Sequence, residues 1–267
     1  MILHAWKNRT RASCRLGRHV FVVFAIIGLT AACYHSAQEQ PLSLVLPNIG
    51  ATATESFVVA GKSIPLPAGD WTVIGSQIIK DDERGYHVAH MLARIEGNTL
   101  HSAIEVYTNL AITKTADIDD AGKGWLTYRS CSRDDMHYLK VYSNTRLGKQ
   151  DCWLVNHWRM SGNLTQEHWI EARKYFSDNK IIAPLDMVAA TFRFANERDY
   201  LTATYFFNPE KSGFSGNNDV YWEIGTWKTS VWHPDNVKGD DKKINYISAL
   251  ISWGTQWHEK LKASVGL

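Results

Sequence analysis

The chain has 267 residues, of which 45% are hydrophobic, 29 are Lys or Arg and 27 are Asp or Glu. Five of the basic residues and none of the acidic ones lie in residues 1–32, so the remainder holds 24 basic and 27 acidic residues, a net charge of −3. Because nucleic-acid binding requires a clustered basic face, this balance argues against nucleic acid as a partner. About 210 residues follow residue 56, enough for one substantial hydrophobic core.

The N-terminus has the order of a secretory signal. Residues 1–20 contain five Lys or Arg, residues 21–32 are apolar, and this apolar run ends in Ala31 and Ala32. A basic, then apolar, then small-residue order is that of a signal peptide. Because a membrane span needs about 20 apolar residues, the run is too short to predict a permanent anchor. We predict a signal peptide over residues 1–32 and an exported protein, in the periplasm or lipid-anchored to the cell envelope.

Cys33 directly follows the predicted cleavage point. The segment Thr30-Ala31-Ala32-Cys33 resembles the lipobox of bacterial lipoproteins, although that family prefers Leu where this chain has Thr30. The resemblance implies lipidation at Cys33 and attachment to a membrane through that lipid. Ordinary cleavage after Ala32 would instead give a soluble periplasmic protein with the same N-terminus. Residues 33–56 are predicted to form a tether.

Two cysteines remain in the predicted domain, Cys131 and Cys152. An even pair in an exported chain predicts a disulfide. The bridge closes a loop of about 20 residues, and by restricting the unfolded chain it is expected to stabilise the fold by roughly 3 kcal/mol. The spacing fits neither a redox CxxC motif nor a zinc site.

Residues 57–267 are predicted to form a single α+β domain. Two β-rich runs flank the turn composition Pro67-Ala68-Gly69-Asp70, which predicts an opening hairpin to whose sheet the later strands add. Further strands are predicted over residues 125–130, 136–142, 152–160, 188–195, 200–207 and 220–232, and helices over 165–177 and 242–263. Strands dominate, so we expect an antiparallel β-sheet covered on one face by helices, with a long C-terminal helix.

Residues 86–95 and 99–109 are joined by Gly97-Asn98, a two-residue turn that predicts a hairpin with Ile95 paired to Leu100. Regular pairing from that point places His90 directly opposite Glu105. The apolar face of this hairpin is then expected to hold Ala89, Met91, Ala93, Ile95, Leu100, Ile104 and Val106. The opposite face is expected to hold His90, Arg94, His101, Glu105 and Tyr107.

The polar face of this hairpin supplies the candidate catalytic residues His90, Glu105, His101 and Tyr107. A carboxylate beside a histidine fixes its tautomer and raises its pKa, as acid–base chemistry requires. The alternative is a cross-strand polar pair on a solvated sheet surface. The chain contains no HExxH, Walker A, EF-hand or strand-following GxGxxG motif, and we expect no metal and no cofactor.

Tryptophan is unusually frequent, with 11 in the chain. Exposed tryptophans stack on sugar rings, whereas buried ones fill the core. The missing catalytic motifs favour a non-enzymatic envelope protein, a binding or accessory module for an unidentified protein or glycan partner. The alternatives are an enzyme with a site on the His90/Glu105 face, which would require a concave pocket there, and a glycan-binding protein that uses exposed tryptophans.

Overall fold

The computed structural model describes residues 45–81, 85–110, 128–145, 149–160, 165–196, 199–216, 228 and 230–266. Predictions on residues 1–44, including the signal peptide and Cys33, and most of the strand predicted over 220–232 lie outside this part. In chain order the elements are β1 (Thr52–Ala53), β2 (Ser56–Val59), β3 (Lys62–Pro65), β4 (Trp71–Asp81), β5 (Gly85–Glu96), β6 (Thr99–Asn109), β7 (Tyr138–Asn144), β8 (Gln150–Arg159), α1 (Glu167–Asp178), β9 (Asp186–Ala195), β10 (Tyr200–Phe207), α2 (Pro234–Val237) and α3 (Asp241–Val265).

The protein is mostly antiparallel β-sheet with few helices and a long C-terminal helix, as predicted. Eight strands form one sheet in the order β1-β4-β5-β6-β10-β9-β8-β7, and β2 and β3 form a separate two-stranded ribbon. Strand β1 belongs to the segment predicted as a tether and pairs with β4. Strands β4 to β6 form one half of the sheet and β7 to β10 the other. Among the described strands, the two halves pair with each other where β6 meets β10, for example at Thr108 and Leu201.

The opening hairpin is not where the sequence predicts it. Strand β2 pairs with β3 through the turn Ala60-Gly61, whose two residues have φ of 49° and 78°. The chain then leaves β3 through residues 67–70 and enters the large sheet as β4, between β1 and β5. The indole Nε1 of Trp71 donates to the carbonyl of Pro67 at 2.8 Å, which ties this corner together.

Helices pack on opposite faces of the sheet, so the expectation that helices cover one face is not confirmed. Helix α1 contributes Trp169, Ala172 and Phe176 to one buried cluster, on what we call the α1 face. Helix α3 contributes to the other cluster, on the α3 face, together with the β2–β3 ribbon. Strand residues of the α1 face include Ile74, Met91, Ala93, Leu100, Ala103, Met187, Ala189 and Phe206. Those of the α3 face include Val73, Val88, Leu92, Ile104, Val106, Trp153, Val155, Phe192, Phe194 and Tyr205.

Helix α3 is capped by Asp240, whose side chain accepts from the backbone N–H of Lys243 at 3.1 Å. Midway along it, Gly254 lies directly against the ring of Trp153 on β8. A Cβ built at Gly254 would lie 2.3 Å from Cζ3 of that ring. Trp153 is fully buried and stacks on Phe192 with ring centres 5.7 Å apart. The glycine therefore allows the helix to approach the sheet closely.

A disulfide holds the short connection before β7. Cys131 and Cys152 are bonded, with their Cα atoms 6.1 Å apart, as the sequence predicts. Residues 128–131 form a 3-10 turn where the sequence predicts the end of a strand, and residues 125–127 of that predicted strand lie outside the described residues. Because Trp153 and Val155 face α3, the alternating pattern of β8 directs Cys152 to the α1 face. We call residues 128–131 with their bridge the disulfide turn; it packs against β7 and β8.

Candidate functional site

The structure does not bring His90 and Glu105 together, so the predicted pair is wrong. Ile95 pairs with Leu100 as predicted, but Arg94 then pairs with Ser102, which leaves His101 as an extra residue in β6. Such a bulge shifts every later pair by one residue and exchanges the faces. His90 consequently pairs with Val106, while Glu105 pairs with Met91. Ile104 and Val106, expected beside Met91, face α3 instead.

His90 is a buried core residue of the α3 face. Its Nδ1 lies 2.9 Å from Oγ of Ser76, and its ring meets the ring of Phe57 edge-on at 5.3 Å. Burial, with a smaller contribution from the charge of His168, lowers the pKa of His90 to about 4. The imidazole is therefore neutral at neutral pH and fastens the β2–β3 ribbon and β4 to β5.

The histidine that Glu105 contacts is His168, in the first turn of α1. Its Nε2 lies 2.8 Å from Oε1 of Glu105, and its Nδ1 lies 3.1 Å from Oε1 of Gln77. The indole of Trp169 donates to the same Glu105 oxygen at 2.9 Å. A Cβ at Gly75 would lie 2.0 Å from the carbonyl oxygen of His168, so the helix rests directly on β4. This arrangement attaches α1 to the sheet.

The other two candidates, His101 and Tyr107, are also apart. His101 is the bulged residue, with Nδ1 3.1 Å from Oγ of Ser102 and Nε2 3.7 Å from Glu96. Partial burial lowers the pKa of His101, and the charge of Glu96 opposes that effect. Tyr107 lies on the α1 face with Glu105, and its ring stacks on His87 with centres 5.8 Å apart. The four candidates therefore do not form one site.

The centre of the α1 face is polar, in contrast to the apolar core around it. Helix α1 packs mainly on β4 and β5, and the disulfide turn packs on β7 and β8. Between them, on β6, β10 and β9, six polar side chains lie at neighbouring positions of the face. We call them the central polar patch: Glu105, Tyr107, Thr191, Arg193, Thr202 and Thr204. All but Thr204 are half-buried, so the patch is neither sealed core nor open surface.

Contacts within the patch join adjacent strands. Oγ1 of Thr191 and Oγ1 of Thr204 lie 3.1 Å apart across β9 and β10. Arg193 pairs in the sheet with Cys152 on one side and Thr202 on the other. Its Nε donates to Oε1 of Gln150 at 3.1 Å. The patch therefore presents hydroxyl groups beside a guanidinium, a set of side chains suited to hydrogen-bonding a polar ligand.

A second polar cluster attaches α3 to β8. Nε2 of His258 lies 2.7 Å from Oδ1 of Asp151, and Nζ of Lys262 donates to Oδ2 at 2.6 Å. Nδ1 of His258 lies 3.1 Å from Glu259, and the ring stacks on Tyr142. Burial opposes ionisation of Asp151, but the hydrogen bonds and charges of His258 and Lys262 outweigh it and lower its pKa. His258 is fully buried, so this cluster is a structural clasp.

Three histidines, His137, His157 and His233, cluster near α2. The rings of His137 and His157 are 6.5 Å apart, and those of His157 and His233 are 5.6 Å apart. His137 Nε2 contacts the carbonyl of Trp232, and His233 Nδ1 accepts from the N–H of Asp235. Within the described residues, no three His, Cys, Asp or Glu side chains are arranged to hold a metal ion.

None of the seven tryptophans in the described part of the chain is exposed. Trp253 and Trp257 stack on each other at 5.0 Å and pack edge-on against Tyr205. Trp71, Trp153, Trp169 and Trp232 are buried. These residues fill the core, as the more conservative interpretation of the composition predicts.

No protein-family model, curated protein or solved structure matches this chain. In the described segments, no helix has the length and apolar character needed to cross a membrane.

Proposed function

We propose that this protein is an exported envelope protein, lipid-anchored through Cys33 or soluble in the periplasm, that acts as a binding or accessory module. The leader over residues 1–32 supports export. The Cys131–Cys152 disulfide agrees with an oxidising compartment, where such bonds persist. The binding role rests on the central polar patch, because it gathers six hydrogen-bonding side chains, five of them half-buried, at the centre of one sheet face.

Binding is favoured over acid–base catalysis because the two histidines that make the shortest contacts with carboxylates, His168 and His258, use both of their ring nitrogens. Both ring nitrogens of His168 meet oxygens, from Glu105 and Gln77. Both ring nitrogens of His258 likewise contact carboxylate oxygens, from Asp151 and Glu259. A general base needs a ring nitrogen within hydrogen-bonding reach of its substrate. These pairs hold helices to the sheet instead.

Filling the patch should abolish binding. We expect native mass spectrometry of the protein isolated from its host envelope to detect a bound species in the wild type. Thr202→Trp should remove that species, because an indole at the centre of the patch occupies the ligand's space. The control is Val58→Trp, on the β2–β3 ribbon, where the side chain is 66% exposed. The proposal fails if no species is bound, or if a folded Thr202→Trp variant retains it.

Processing gives an independent test of export. We expect the mature protein to begin at residue 33, and Cys33→Ser to abolish labelling by a fatty-acid probe if the protein is lipidated. Cys14→Ser, inside the leader, is the matched control and should leave labelling unchanged. Unlabelled wild-type protein that begins at residue 33 would assign it to the soluble periplasmic class. Recovery of a full-length product starting at Met1 would contradict export.

A further inference from the structure

Three described arginines form ion pairs with carboxylates, whereas Arg193 does not. Arg94 is paired with Glu96, Arg133 with Asp135, and Arg159 with Asp186. The described contact of the Arg193 guanidinium is with a neutral group, the side-chain oxygen of Gln150. No described carboxylate forms an ion pair with it. A guanidinium in a low-dielectric site without a counter-ion is energetically unfavourable, so an anion from outside the fold would be stabilised there.

The hydrogen-bonding geometry of Arg193 leaves its outer edge available. Nε is engaged by Gln150, while Nη1 and Nη2 have no acceptor among the described residues. These two nitrogens present parallel N–H donors, the fork that binds a carboxylate or phosphate through two oxygens. Burial lowers the pKa of Arg193 to about 10, with Tyr200 opposing that effect, so the group keeps its charge at neutral pH.

The surroundings of Arg193 add hydroxyl donors and limit the size of the ligand. Thr202 is its direct neighbour on β10, and Thr191 and Thr204 form the next row of the same face. Helix α1 lies over β4 and β5, and the disulfide turn lies over β7 and β8. The three strands between these two elements, β6, β10 and β9, are together roughly 10–15 Å wide at about 4.8 Å per strand, and this width is an upper limit on the size of a ligand at the patch.

We infer that Arg193 and the neighbouring threonine hydroxyls bind the oxyanion of a small ligand, a carboxylate or a phosphate group. This inference rests on the proposed binding role of the central polar patch and adds the chemistry of its ligand. The guanidinium supplies two donors to the oxyanion, and Thr202 supplies a hydroxyl beside it. The Glu105 carboxylate, at the far side of the patch, disfavours a second negative charge at that end of the ligand.

The test is a titration of the purified, isotopically labelled protein followed by two-dimensional NMR. Sodium acetate and inorganic phosphate are the two probes, each added at constant ionic strength with sodium chloride as the compensating salt. We expect saturable shifts of the Arg193 Nε–H and of the Thr202 and Thr204 amides with at least one probe. The probe that saturates identifies the oxyanion. Shifts that chloride reproduces, or that spread evenly over the surface, would overturn the inference.

Two variants sharpen the result. Arg193→Gln should abolish the saturable shifts, and Arg193→Lys, which keeps the charge but loses the fork, should weaken binding at least about tenfold. Arg133→Gln is the matched control, because its guanidinium is already paired with Asp135 at 2.6 Å and the change should have no effect. Unchanged saturation in both folded Arg193 variants would overturn the inference. If either variant fails to fold, the wild-type titration alone tests the inference. Saturable shifts at Arg193, Thr202 and Thr204 support it, and shifts elsewhere overturn it.

The outcome separates this inference from the proposed function. A bound species that Thr202→Trp removes but Arg193→Gln retains would show a neutral ligand in the patch. The oxyanion inference would then be wrong, while the binding role would stand. If there is neither a bound species nor a saturable shift, both the binding role and the oxyanion inference are wrong.

Discussion

Asp151→Asn is expected to lower the free energy of unfolding by about 1.5–3 kcal/mol, the usual contribution of hydrogen bonds to a charged group, because the Asp151 carboxylate is half-buried and Lys262 is 43% exposed. The Asp151 carboxylate accepts from His258, which is fully buried, and from Lys262 on the next turn of α3. Without the charge on residue 151, the hydrogen bonds that join β8 to His258 and Lys262 on α3 are weaker. Urea denaturation of the wild type and the variant measures the difference.

The matched control is Asp178→Asn, at the end of α1. Asp178 is paired with Lys174, but both side chains are more than half exposed. Exposed pairs of this kind contribute under about 1 kcal/mol. Equal losses for the two variants would contradict the assignment of Asp151 as the residue that attaches α3 to β8.

The contribution of Asp151 to the free energy of unfolding also depends on pH, in a direction set by its pKa. The pKa of Asp151 is lowered in the folded state, so the stabilisation is complete above the unfolded value of about 3.9 and is lost as pH falls through the folded value. The difference in stability between the wild type and Asp151→Asn should therefore shrink as the pH falls below about 4. If the stability difference between the two proteins grows as the pH falls, the predicted direction of the pH dependence is wrong.

Gly254→Ala is expected to destabilise the protein by about 2–3 kcal/mol, although alanine is the better helix former by about 1 kcal/mol. The new methyl group would meet three atoms of the Trp153 ring at 2.3–3.0 Å. Because that ring is fully buried and stacked on Phe192, it cannot rotate away. Helix α3 must then move off the sheet, and thermal or urea unfolding reports the loss.

A second substitution tests whether the contact with the Trp153 ring causes the destabilisation by Gly254→Ala. Trp153→Phe removes the outer ring atoms that a Cβ at residue 254 would strike, at the cost of a cavity of its own. The double variant should be less destabilised than the sum of the two single variants by at least about 1 kcal/mol. Strict additivity would show that the close contact between Gly254 and Trp153 is not the reason for the glycine.

Local turn chemistry explains where the sequence prediction was correct. Gly97 has φ of 64°, a value that glycine adopts readily, and the turn fixed the Ile95–Leu100 pair as predicted. The Ala60-Gly61 turn was missed because alanine at positive φ is uncommon and gives no signal. Residues 67–70 have turn composition but form a corner between two sheets, which local sequence does not distinguish from a hairpin.

The candidate site failed for a different reason. Residues 87–93 are all buried, because helices or ribbons cover both faces of β5, so the strand has no polar-apolar alternation from which to read its register. Nothing local marks His101 as the bulged residue. The actual partner of Glu105, His168, lies 63 positions away in the chain, and such a contact depends on tertiary packing. Arg193 likewise becomes notable only when its neighbours are known to be neutral.

The junction between β6 and β10 governs the order in which the sheet can assemble. Each half of the sheet pairs strands that follow one another in the chain, whereas the junction joins residues such as Thr108 and Tyr200, which are 92 positions apart. Closing so long a loop costs more entropy than closing the short turns within each half, so we expect this pairing to form after the two halves. Until then, β6 and β10 each expose an unpaired edge that can join the edge of another molecule. Refolding yield should consequently fall as protein concentration rises, whereas the edge strands of the finished sheet, in the part of the chain that the structure describes, are the short β1 and the bulged β7.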